Sequence, residues 1–123
     1  MATLNDKVFD EGLNVLDTDA DKILITSQEA TTYAEANSTY ALGNSTSLSI
    51  AAPSDRSGGG REVVVAAISD GSVTGTGTAT HYAMVDTSNT LLLATGSLTA
   101  SQVVTSGNNF TLGSFTVGIP DPA

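Results

Sequence analysis

Cysteine and tryptophan are absent from this sequence, basic residues are scarce, and histidine occurs once. Without cysteine there is no disulfide framework, no thiolate nucleophile and no sulfur-ligated metal. Only 4 Lys and Arg stand against 13 Asp and Glu, for a formal net charge of -9. So few cations cannot coat a phosphate backbone, and direct nucleic-acid binding is not expected. With 14% charged residues and no long apolar run, the sequence excludes a coiled coil, a membrane span and a solvated charged tail. The opening Met1–Asp6 has neither a basic nor an apolar region of the secretory kind, so no signal peptide is expected.

What is present is a chain of 123 residues, 40% hydrophobic, with 12 glycines and about a quarter Ser and Thr. This length allows one domain, spanning 1–123, which can hide roughly two-thirds of the surface its unfolded chain exposes. The composition is that of a soluble, β-rich, non-enzymatic protein.

Acidic residues crowd the start: Asp6, Asp10, Glu11, Asp17, Asp19, Asp21 and Glu29. Among them Leu4, Val8, Phe9, Leu13 and Leu16 recur at three- and four-residue steps, the apolar stripe of a short helix within residues 1–20. Thr3 or Asn5 is placed to cap it, and Asp6 suits the positive end of its dipole. Gly12 costs such a helix about 1 kcal/mol relative to Ala. The string Asp17–Asp21 is expected to end it, because Asp competes locally for helical hydrogen bonds.

Beyond residue 21 the pattern changes to short β-branched runs between turn residues. Ile23–Thr26 reads as a buried strand and Ser47–Ile50 as an alternating one, with a long loop holding one short strand between them. Pro53–Gly60 reads as a flexible loop. Val63–Ile68 is an apolar run that Asp70-Gly71 is expected to end as a tight turn. From Val73 to Val85 alternate residues share one face, with Thr74, Thr76, Thr78, Thr80 and Tyr82 opposite. Leu91–Ala94 and Val103-Val104 read as further strands, and Ser106–Asn109 as a hairpin turn. Phe110 and Leu112 differ in parity from Phe115, Val117 and Ile119, and a β-bulge near Gly113-Ser114 would reunite them on one face. Together these segments predict a mainly β fold: a single-domain β-sandwich or jelly-roll-like barrel over 21–123 with a short N-terminal helix.

No chemistry is written strongly. Asp17, Asp19 and Asp21 imitate the start of a Ca²⁺ loop, but Lys22 stands where the sharp turn needs Gly, and Gln28 where a bidentate Glu belongs. A lone His81 would leave a Zn²⁺ site to be finished by carboxylates. No G-x-S-x-G elbow occurs, and Ser57–Arg61 lacks the phosphate-loop pattern. No catalytic residue, cofactor or metal is expected.

The order of segments resembles a group of small structural proteins of tailed phages and prophages from alphaproteobacterial genomes. The resemblance is carried by Ile25–Ala36, Tyr40–Asn44, Arg61–Val65, Ile68–Gly75, Ala79–Ala83, Leu92–Leu98 and Gly107–Leu112. It implies a virion component made in the host cytoplasm, not an enzyme. Within that class, a capsid decoration (cement) protein on the head, touching the major capsid protein, fits better than a tail-fibre or tail-tip component, because the chain has neither heptads nor a repeat. The alternative is a tail-fibre or tail-tip part, including a glycan-binding adhesion module, although such modules usually present aromatic platforms and here 3 Tyr and 3 Phe are all there is. A homo-oligomer, a trimer at a threefold position, is expected from Thr-rich edge strands such as Thr74–Thr80. Leu4, Val8, Phe9, Leu13 and Leu16 are the candidate docking stripe toward a virion neighbour.

Overall fold

The structure, a computed structural model, describes residues 6–120, with side chains from Asp10 onward. The chain is mainly β with a short N-terminal helix, the class its sequence predicts. Helix α1 (Asp6–Asp19) is followed by β1 (Lys22–Thr26), one π-helical turn (Glu35–Thr39), β2 (Ala41–Ser45) and β3 (Ser54–Asp55). Then come β4 (Arg61–Val65), β5 (Ile68–Val73), β6 (Gly77–Asp86), β7 (Leu91–Val104), β8 (Asn109–Leu112) and β9 (Phe115–Ile119). Two compact units result. One takes α1, Ser49–Ala67 and the segment from Gly113 onward; the other takes Ala20–Leu48 and Ile68–Leu112.

The larger unit is a six-stranded antiparallel sheet in the order β7-β6-β1-β2-β5-β8. Its middle strand β1 is apolar at three consecutive positions, Ile23, Leu24 and Ile25, and all three are buried. A strand buried on both faces needs such an unbroken run, and each side chain of this size contributes roughly 1.5–3 kcal/mol on burial. On one face Leu24, Ala83 and Val85 are covered by the crossover between β1 and β2, through Ala30, Tyr33, Ala36 and Tyr40. The crossover is thus a packed lid with a π-helical turn, which explains its small and aromatic residues.

Phe110, on β8, stands opposite Gly71. A Cβ at Gly71 would lie 2.3 Å from its ring, and one at Gly43 would lie 3.0 Å from it. Both glycines are therefore spaces for the phenylalanine, and Asp70-Gly71 is no tight turn. It lies inside β5, where β5 spends an extra residue against β8 between Ile68 and Gly71. A type I′ turn needs positive φ at both central residues, and Gly71 is not among the positive-φ glycines. The chain instead breaks at Ala66-Ala67.

In the smaller unit β4 is flanked by β3 and β9, all antiparallel. Helix α1 packs against β4, burying Leu13 and Leu16. Arg61 on β4 ties the helix down through Asp10 at 2.9 Å and also reaches Asp55 of β3 at 2.6 Å. The helix ends in the acidic string, as expected.

Pro53–Gly60 is not a loose loop. Arg56 N–H donates to the Gly60 carbonyl and Gly59 N–H to the Arg56 carbonyl, closing a β3–β4 hairpin. Gly58, Gly59 and Gly60 all adopt positive φ, which an L side chain rarely adopts. Gly113-Ser114 is likewise no bulge. There the chain leaves one sheet for the other, so Phe110 and Leu112 belong to a different core from Phe115, Val117 and Ile119. Ser47–Ile50 forms no strand of its own; only Ile50 bridges Val65.

Candidate functional site

The carboxylates are placed where they hold backbone. Asp21 accepts from Thr87 N–H at 3.0 Å and from Thr87 Oγ1 at 2.6 Å, which holds its pKa below the usual aspartate range. Buried Asp86 accepts from the N–H groups of Ser88 and Asn89 and from Asn89 Nδ2, fixing the turn into β7. Asp70, thrown out by the β5 bulge, takes hydroxyls from Ser45 at 3.2 Å and Ser47 at 2.8 Å. Glu35 accepts from Thr31 Oγ1 at 2.7 Å and Thr31 N–H at 2.9 Å, and its pKa is lowered for that reason. Asp21 and Asp70 thus clamp segments distant in sequence, while Asp86 and Glu35 fix turns next to themselves.

His81 is half-buried on β6, with Nδ1 2.8 Å from Thr80 Oγ1. The Thr80 hydroxyl already donates to the Ser27 carbonyl at 2.9 Å, and a hydroxyl has one proton to give. His81 Nδ1 is therefore the donor in this pair, and the imidazole is held by its own strand. Among the described residues no three or more His, Asp or Glu side chains are grouped to hold a metal ion. Asp17 and Asp19 are exposed on α1, while Asp21 is engaged by Thr87. Every buried side-chain N or O among the described residues has a hydrogen-bond partner.

Of the expected docking stripe, Leu4 lies outside the described residues, and Val8 and Phe9 lie on α1 before the first described side chain. Leu13 and Leu16 are only 2% and 7% exposed. Both fill the interior of their own unit. Thr74–Thr80 is also not the sheet edge. Gly77, Thr78 and Ala79 pair with Val104, Val103 and Gln102 of β7, which puts β7 on the outside.

The outermost strand is the feature that sequence reasoning missed. β7 runs for 14 residues, Leu91–Val104, with β6 on one side and no strand on the other among the described residues. Leu91 is 52% exposed and Val103 83%. The signal was available: from Thr87 to Pro120 the sequence contains no Asp, Glu, Lys or Arg. Both edges of the six-stranded sheet, β7 and β8, come from that neutral stretch.

Among the described residues no helix is long and apolar enough to cross a membrane. Compared with models of known protein families, with characterised proteins and with solved structures, the chain matches none.

Proposed function

We propose that this chain is a non-enzymatic structural component of a tailed-phage virion, a decoration protein on the outside of the head bound to the major capsid protein. The observation that carries this reading is how its reactive side chains are spent. Asp21, Asp70, Asp86 and Glu35 accept hydrogen bonds from the chain's own backbone and hydroxyls, and His81 is tied to Thr80. A small protein that invests its polar groups in its own turns, and carries a long neutral strand at its edge, is suited to contact through surface and main chain. The segment resemblance to phage structural proteins supports the same reading.

The glycan-binding alternative needs an open aromatic platform. Tyr33 and Tyr40 pack onto the core around Leu24, and Phe110 is buried. That use of the aromatics favours decoration over adhesion.

The test is co-sedimentation of the purified protein with phage heads lacking it, beside a glycan array. Saturable binding to heads with an empty array is the expected pair of results. Array binding with no attachment to heads would replace decoration by adhesion.

A further inference from the structure

We infer that the outer edge of β7 is a self-association surface, pairing antiparallel with β7 of a second copy about a two-fold axis and joining two six-stranded sheets into one. An edge strand turns alternate N–H and C=O groups outward, ready to pair with another strand. Natural edges are protected by charge, proline, short length, bulges or a covering element. β7 has 14 residues and neither a charge nor a proline. No backbone hydrogen bond from a turn or loop reaches it among the described residues.

Its bulges set where pairing can occur. Against β6, β7 moves from Gln102 to Ser97 while β6 moves only from Ala79 to His81, so Leu98–Ser101 is looped out of the ladder. Thr99, Ala100 and Ser101 are exposed. Leu91–Ser97 remains as the stretch able to take a partner strand, with one smaller irregularity at Leu93.

Charge selects the occupant. Each copy carries a net charge of -9, so most approaches of two copies bring carboxylates together. Along β7 itself no residue is charged, and one carboxylate from outside the strand, Glu29, accepts from Thr95 Oγ1 at 3.3 Å. An antiparallel two-fold pairing places neutral residues against neutral residues from the same segment. The other edge of the sheet, β8, has only 4 residues, with Phe110 and Leu112 turned into the core. The inference stands apart from the virion reading, because pairing in solution needs no particle.

The experiment is light scattering on the purified chain over a concentration series, with Ser97→Glu and Ser101→Glu beside it. Both serines are exposed, the first within the pairing stretch and the second in the looped-out segment. The wild-type chain should reach twice the 12.4 kDa of one chain. Ser97→Glu should weaken the dimer about tenfold or more, because pairing centred on Ala94 sets each new carboxylate against the partner's apolar Leu91 inside the ladder and adds to the repulsion between two negative bodies, whereas Ser101→Glu, outside the ladder, should leave it nearly unchanged. Added salt should tighten the dimer by screening the two negative bodies. Hydrogen exchange on the wild-type chain gives a reading that needs no variant to fold: amides of Leu91–Ser97 should gain protection as concentration rises. A monomer at every concentration, a trimer, or protection that ignores concentration would each overturn the inference.

Discussion

Tyr82 of β6 and Gly96 of β7 stand directly opposite each other, and the tyrosine ring occupies the space where a side chain at 96 would begin. A Cβ there would lie 2.5 Å from Tyr82 Cε2. An aromatic ring laid over an edge-strand glycine shields backbone that would otherwise face water. At the opposite edge the arrangement is reversed: Phe110 on the edge strand β8 lays its ring over Gly71 of the interior strand β5.

The two pairs differ in how far the ring can give way. Tyr82 is half-buried and can swing outward, so Gly96→Ala is expected to cost about 1 kcal/mol. Phe110 is buried, and a Cβ at Gly71 would meet its ring at 2.3 Å, so Gly71→Ala is expected to cost about 3 kcal/mol. Urea melts should rank the two variants in that order. Equal midpoints would show that the Phe110 ring is not confined.

Gly12 is the opposite case. It sits inside α1, exposed, and a Cβ there would meet Ile119 Cδ1 at 3.8 Å, an ordinary contact. Gly12→Ala should stabilise the chain by up to about 1 kcal/mol, raising Tm by roughly 4 °C. A lower Tm would mean that the helix needs the glycine for a reason other than space.

Arg61 joins the helix to its sheet through unequal partners. The Asp10 carboxylate is 30% exposed and the Asp55 carboxylate 91%. The exposed pair is screened and contributes little, so Asp55→Ala should change stability by less than about 0.5 kcal/mol. Asp10→Ala leaves the largely buried guanidinium short of its main partner and should cost about 1–2 kcal/mol. Chemical denaturation of the two variants checks this order.

The pH response follows from three groups. Asp21 and Glu35 titrate lower in the folded chain, held by Thr87 and Thr31. Their contribution is therefore complete above the usual carboxylate range and is lost as pH falls below about 4. Burial raises the pKa of Tyr82, so its contribution is complete below about pH 10 and is lost above it, as the unfolded chain ionises first. Melts should lose stability at both ends, with Asp21→Asn flattening the acid limb and Tyr82→Phe the alkaline one. An unaltered acid limb in Asp21→Asn would remove Asp21 from this account.

Local patterns revealed the elements more readily than their partners. Ile23–Thr26 and the Leu13/Leu16 stripe were legible because burial imposes a run or a period on a single segment. Asp70-Gly71 misled because a glycine that makes room for Phe110 is written the same way as a glycine that turns the chain. Gly113-Ser114 misled because a parity slip marks both a bulge and a change of sheet. The β7 edge was hidden for a related reason: being outermost depends on which strands pair, and that is decided between residues far apart in sequence. Its one local sign, the neutrality of Thr87–Pro120, has meaning only once the strands are placed.

The most direct test of the structural-protein reading is quantitative mass spectrometry of phage particles from cells carrying the gene, with heads and tails separated. The account predicts peptides of this chain in the head fraction, in a fixed ratio of many copies per particle to the major capsid protein. Its absence from both fractions, or its presence in tails alone, would contradict a place on the head.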